Sequence, residues 1–348
     1  MRHFTRLVLV GMLVGLSMSV PNAFGQAVKD KPVLEQLLDL LLQRGQIDRE
    51  QYNTLQEKAK KEQTTALQAG IDHGRPFIRS MDGNVRFDIG GRFQLDFDRA
   101  EDGARTLTGT QLGSQFLVRR ARLEVNGQFF QWIDLKIEPD FTDSQPLRDT
   151  YLDLKFFPEL RLRVGQFKVP FSLEELTSDL HTDFVERSLV NELAPSYDRG
   201  IMGYGNIEQG VVSYFLGGFN GTGQNTSDNN GDKDGAARLV LAPFKTSNNF
   251  WLKGFQLAGD FTWGNESNLP SAQGRTEARI PNRFVSFAAQ PARGDRLRYG
   301  GDLAWLVGPA AVKFEYDVQT NQRRGLGPLG DCLKSHLDRV EQWSPYLL

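Results

Sequence analysis

The chain has 348 residues, with 41 Lys+Arg against 43 Asp+Glu for a formal charge of −2, a single Cys, 39% hydrophobic and 24% charged residues. That balance excludes a generally basic nucleic-acid binder, and one thiol excludes a disulfide framework and the common cysteine-held zinc and iron–sulfur clusters. A mean hydropathy of −0.42 excludes a bundle of membrane helices, but not a membrane barrel, whose strands meet lipid only at alternate residues.

Arg2, His3 and Arg6 precede an apolar run from Leu7 to Val20, and the small residues Ala23 and Gly25 stand before Gln26. The run is too short to span a bilayer in the usual way. Residues 1–25 therefore read as a secretory signal peptide, which takes the mature protein out of the cytoplasm. Residues 26–69 read as a helical segment. Val33, Leu34, Leu37, Leu38, Leu41 and Leu42 recur at helical spacing, and Gly45 is placed as a C′ stop. Asp48 with Gln51 forms a capping-box pattern for a second helix, with Ile47 positioned to staple to Tyr52. So dense a leucine stripe on so short a segment is expected to self-associate as a coiled coil; a small cap on the following domain is the alternative. Residues 70–84, with Gly70, Gly74 and Pro76, read as a linker.

From Val85 the period changes to two. Phe87, Ile89, Phe93, Leu95 and Phe97 share one face, while Arg86, Asp88, Arg92, Gln94, Asp96 and Asp98 take the other. The same alternation runs through Leu117–Gln128, Ile133–Glu138, Tyr151–Phe156 and Leu160–Val164, then resumes over Phe255–Trp263, Leu297–Val307 and Val312–Gln319. About a dozen strands are expected, many near the ~10 residues that cross a bilayer obliquely. Alternation alone fits two architectures: a soluble sandwich hiding its apolar face, or a membrane barrel turning that face to lipid. Strand length, aromatic residues near strand ends, and connections alternating between tight and long Gly-rich segments favour the barrel. An irregular segment over 166–200 interrupts the rhythm and reads as a loop folded into the lumen, where it would narrow the pore; a cover over one mouth of the barrel is the alternative. Short helices are expected at Ser172–Thr177, with Ser172 as N-cap and Glu175 closing its box, and at Asp183–Leu193.

Several segments together resemble the phosphate-selective porin O and P family. They are Gly90-Gly91-Arg92-Phe93-Gln94, Arg119-Arg120-Ala121, Asp149 with Tyr151, and Gly165-Gln166-Phe167 running into Phe171-Ser172-Leu173-Glu174. The similarity covers roughly 85–320. It implies an all-β fold, a transmembrane antiparallel β-barrel of 16 strands in the family, assembled as a homotrimer in the bacterial outer membrane. It also implies that Arg92, Arg119, Arg120 and Arg187 contribute to the constriction, with Asp149 beside them. Parity places Arg92, Arg120 and Asp149 toward the lumen, whereas Arg119 falls on the apolar face, where a mid-bilayer arginine costs roughly 2–4 kcal/mol. Arg119 is therefore expected at a rim, at a subunit contact, or on a bulge that turns it inward. Arg122, Arg161, Arg163 and Lys168 are further lumen candidates. One departure stands out. Where phosphate-binding members carry a lysine after the Leu-Glu pair, this chain has Glu175, a reversal of charge that opposes a multiply charged anion.

His3, His73, His181 and His336 lack metal-ligand spacing, Cys332 has no partner set for thiol catalysis, and Asp228–Gly235 fails the calcium-loop pattern at its sixth and twelfth positions. Neither a cofactor nor a metal nor catalysis is expected. Residues 85–328 are assigned to the barrel. Residues 329–348 read as an atypical tail without a period-two strand, as though the barrel were truncated. The expected function is an outer-membrane porin passing small anionic or neutral hydrophilic solutes by diffusion, phosphate among them, with outer-membrane lipid as its surroundings, no nucleic acid as partner, and the helical segment in the periplasm. Two rivals stand beside it: a structural envelope protein tethered through its helices, and a secreted soluble β-sandwich binding glycans through Trp132, Trp251, Trp263 and Trp305.

Overall fold

The structure is a computed structural model that describes residues 33–65, 67–103, 105, 109, 111–228, 230–269, 273–275, 283–286, 292–321 and 338–347. Residues 1–25, expected to be a signal peptide, lie outside the described residues, as do Cys332 and His336.

Helices α1 (Val33–Gln43) and α2 (Arg49–Thr65) form the expected hairpin. Gly45, at φ 66°, ends α1 in a Schellman motif: Gln46 N–H donates to the Leu41 carbonyl and Gly45 N–H to that of Leu42. The capping box forms reciprocally. Gln51 N–H donates to Asp48 Oδ1 at 2.7 Å and Asp48 N–H to Gln51 Oε1 at 3.1 Å. Tyr52 reaches back to α1 through a hydroxyl bond to Asp39.

Among the described residues sixteen strands follow: β1 (Leu67–Asp72), β2 (Arg75–Ser80), β3 (Val85–Asp98), β4 (Gln115–Phe129), β5 (Ile133–Pro139), β6 (Leu147–Phe157), β7 (Leu160–Lys168), β8 (Tyr197–Ile207), β9 (Val212–Phe219), β10 (Asp234–Leu241), β11 (Phe255–Leu269), β12 (Gln273–Arg275), β13 (Arg283–Ser286), β14 (Ala292–Val307), β15 (Ala310–Asn321) and β16 (Asp338–Leu347). Fourteen of them make one antiparallel meander in chain order, with β12 and β13 set apart as a small hairpin in the β11–β14 connection. Neighbour-to-neighbour order throughout is what short, uncrossed connections produce.

Three expectations about extent need correction. Residues 70–84 are not a linker, because β1 and β2 pair there as a hairpin and β2 continues onto β3. Their Gly and Pro suggested an unstructured stretch. Yet Pro76 stands just before the β2–β3 pairing begins at Phe77, where a missing N–H is tolerated. Gly70 stands opposite Phe77, leaving room for its ring. The strand count exceeds a dozen because β1 and β2, the small β12–β13 hairpin and β16 add to the strands expected. The tail 329–348 is not without a strand: β16 pairs with β15 over ten residues, and carries Pro345 opposite Phe314. Backbone pairing to a long neighbour forms that strand although its own residues do not alternate.

The two faces of the sheet settle the choice of architecture. Phe93 is 65% exposed and Phe116 75%, and Leu123 and Phe314 are exposed with them, while Glu315 and Asp317 on the opposite face are 1% and 0% exposed. Buried charges with exposed aromatics invert a soluble sandwich and match a barrel with an apolar outside and a polar lumen. Trp132, Trp251, Trp263 and Trp305 belong to the exposed set too. Tight connections (Phe130–Trp132, Pro158–Glu159, Gly308–Pro309) alternate with long ones, including 169–196 between β7 and β8. That long segment folds against the concave face. It contains helix α3 (Leu173–Leu176) and one 3-10 turn at Leu189–Glu192, so the helix expected at Asp183–Leu193 is reduced to its last residues. Side-chain bonds from Arg187 and Asp179 hold the intervening chain in place of helical backbone bonds.

Candidate functional site

The site begins in the geometry of β3 and β4. Gly91 lets these strands approach closely, since a Cβ there would stand 2.5 Å from the Arg122 carbonyl oxygen. Arg92 pairs opposite Arg122, and Gln94 opposite Arg120. The register then slips by one: Leu95 faces Val118, and Arg119 becomes the extra residue of a β-bulge. Arg119 is 8% exposed although strict alternation puts it on the lipid face. Of the three positions open to it, the bulge is the one observed.

Arg92 and Arg122 directly opposite one another repel. Asp179, from the β7–β8 loop, lies between them. Its Oδ2 is 2.9 Å from Arg120 Nε, 3.0 Å from Arg122 Nη2 and 3.5 Å from Arg92 Nη1, and its Oδ1 is 2.7 Å from Arg187 Nη2. Four guanidiniums thus converge on one carboxylate that is 9% exposed. Burial by itself would raise the Asp179 carboxyl, but attraction to Arg120, Arg122, Arg187 and Lys168 outweighs it and holds the group well below the usual carboxylate range. Arg120 is further oriented by a bond from Nη1 to Gln94 Oε1 at 2.7 Å. Arg122 reaches Asp140 at 2.8 Å and Glu138 at 3.2 Å. Arg187 lies on the loop itself and stitches it together by donating to the carbonyls of Glu174 and Thr177.

The other end of the loop is pinned to the opposite wall. Ser172 (φ 69°) caps α3 by accepting from Glu175 N–H at 3.1 Å, as the capping pattern anticipated. The reciprocal half does not form, because Ser172 N–H donates to Asp260 of β11 at 3.0 Å. Leu173 and Glu174 N–H groups donate to the Glu315 carboxylate of β15 at 3.0 and 3.2 Å. Asp260 and Asp302 share Arg238, at 2.5 and 2.8 Å. Lys313 of β15 also pairs with Asp183 of the loop. One segment therefore bridges β3 and β4 on one side to β11 and β15 on the other, so the sheet curves around it. Gly165, at φ 137°, adjoins the start of this crossing; a Cβ there would meet the Thr150 carbonyl oxygen at 2.3 Å.

Glu175 lies inside the loop. Its Oε1 is 3.3 Å from Lys168 Nζ and accepts from Ser196 Oγ at 2.8 Å, and its Oε2 is 3.9 Å from Arg187. Its charge is met locally by Lys168. Asp149 is not against the arginines as the resemblance implied. It takes Lys136 at 2.9 Å, and Lys136 in turn meets Glu138 at 2.8 Å, which reaches Arg122. Arg163 sits in a separate cluster with Asp153 at 2.9 Å and over the Tyr151 ring at 4.0 Å, and Arg161 is in register with Tyr204. Neither joins the Asp179 group.

Asp179, Lys136, Glu138, Asp140, Asp260 and Glu315 escape sequence reasoning. Asp179 occupies an aperiodic loop, where no spacing shows which wall it reaches. The strand acids alternate correctly but look like any wetted wall residue. Among the described residues no group of three or more His, Cys, Asp or Glu is arranged to hold a metal.

Against known families, the profile described as phosphate-selective porin O and P matches residues 87–327. No curated protein matches the chain.

Proposed function

The chain belongs to the phosphate-selective porin O and P family, whose members are outer-membrane channels and not enzymes, and from that premise we propose that it conducts small hydrophilic anions, phosphate among them, by passive diffusion. The observation that carries the reading is the convergence of Arg92, Arg120, Arg122 and Arg187 on one point of the loop that crosses the concave face.

The mechanism follows from electrostatics in a narrow, partly dehydrated passage. Attraction between charges is screened less there than in bulk water, so fixed guanidiniums offset part of the hydration an anion surrenders. A guanidinium presents a planar fork of donors that matches two oxygens of a phosphate, which a point-like ammonium does not. Glu175 does not reverse this preference, because the Lys168 charge beside it offsets its own and the pair adds no net negative charge to the cluster. Lys136 and Asp149 extend the charged wall along β5 and β6. No energy source is required, and net flux follows the solute gradient. We place the protein as a homotrimer, with the exposed band of Phe93, Phe116 and their neighbours facing lipid or adjoining protomers.

Proteoliposomes carrying the refolded full chain test this. Radiolabelled phosphate should equilibrate across them much faster than across protein-free vesicles, and Arg120→Ala should slow it. Phosphate uptake no faster than in protein-free vesicles would overturn the proposal.

A further inference from the structure

We propose that Asp179 is a tethered anion occupying the guanidinium subsite, and that a tetrahedral oxyanion must displace it to bind there. The inference rests on the reading of the arginine cluster as the anion-conducting constriction. It goes beyond that reading by assigning Asp179 the role of specificity-determining residue.

The contacts carry the argument. Asp179 Oδ2 alone is shared by Arg120, Arg122 and Arg92, and Oδ1 serves Arg187. A carboxylate has two oxygens for four guanidiniums, so three cations crowd one atom. A phosphate or sulfate ion brings a fuller set of oxygens and a second negative charge to the same four donors. It satisfies the cluster better than the resident side chain does. A halide or a monocarboxylate brings no such advantage.

The loop is built to let Asp179 leave. Its base stays fixed through the bonds from Ser172, Leu173 and Glu174 to Asp260 and Glu315. The stretch that follows is pinned at both ends, by Arg187 donating to the Thr177 carbonyl and by Lys313 pairing with Asp183. Between these anchors Leu180 is exposed, and apart from the Asp179 contacts the local bonds at Ser178–Thr182 run within the turn itself. Breaking the Asp179 contacts therefore releases a short tip and not the whole segment. A site filled by its own side chain for most of the time binds a free ligand more weakly in proportion to the open fraction. Tethering also gives the side chain a high effective concentration. The consequence is a raised threshold, which weakly held ions fail to cross.

The test is inorganic phosphate block of chloride current through the full chain in planar bilayers, wild type against Asp179→Asn. The amide keeps the shape and removes the charge. The proposal expects the half-blocking phosphate concentration to fall on the order of tenfold. A role confined to loop packing would raise conductance for every ion and leave the half-blocking concentration unchanged or higher, and that result overturns the proposal. A wild type that conducts no anions defeats the porin reading instead, so the two failures are distinguishable. Should the variant not refold, hydrogen exchange on the wild type supplies the answer. Amides of 178–182 should exchange faster in inorganic phosphate than in HEPES of equal ionic strength, and equal or slower exchange contradicts displacement.

Discussion

Lys168 Nζ stands 3.3 Å from Glu175 Oε1, with both side chains largely withdrawn from solvent. From sequence, Glu175 looked like a charge that would spoil anion binding. In the fold it is the internal counterion of the loop, set between Lys168 and Arg187 and bonded by Ser196.

Glu175→Lys is therefore expected to damage the loop and not to improve phosphate selectivity. Three cations would crowd a site that holds two and a carboxylate. Removing one partner of a buried pair costs about 3–5 kcal/mol. The heat-modifiable shift of the folded protein on gels should occur at a lower temperature in Glu175→Lys, and by a smaller margin in Glu175→Gln. An unchanged transition in the lysine variant would contradict the packing described.

Glu315 governs the loop from the far wall. Glu315→Ala leaves the N–H groups of Leu173 and Glu174 without the acceptor they use now. Stranding buried donors costs about 1–3 kcal/mol. The expected result in single-channel records is larger and noisier conductance as the base of the loop loosens. Glu315→Gln, which keeps an acceptor oxygen, should lie between that variant and the wild type.

The Asp179 contacts set an expectation for pH. A carboxyl held low in the folded loop contributes its attraction in full above the ordinary carboxylate value near ~4, and loses it only as pH falls through its own, lower value. The groups facing it are Arg92, Arg120 and Arg122 from the wall, with Arg187 and Lys168. The arginines stay charged throughout this range. The difference in half-blocking concentration between wild type and Asp179→Asn, measured with sulfate because it stays a dianion across this range, should therefore persist from pH 8 to pH 5. Its disappearance by pH 5 would show that the carboxyl is not held as described.

Much of the fold was legible because each signal is local. The Schellman ending at Gly45 and the box between Asp48 and Gln51 are both written within a few residues. The period of two, with Phe93 and Phe314 on one face and Arg92 and Glu315 on the other, needs only neighbouring positions. Arg119 marked a conflict with that period, and a bulge resolves it. The candidate site was legible only in part, because its decisive partners meet across the sheet. Nothing local tells Asp179 to reach β3 and β4, or Glu315 to receive the start of α3. The same holds for Pro76 and Pro345, whose tolerance depends on which strand lies beside them.

Reversal potential across a potassium chloride gradient tests the central claim most directly. With the full chain in a planar bilayer, the guanidinium-lined passage predicts a potential of the sign set by chloride, reduced when Arg92, Arg120 and Arg122 are replaced together by alanine. A potential of the sign set by potassium in the wild type would contradict the account.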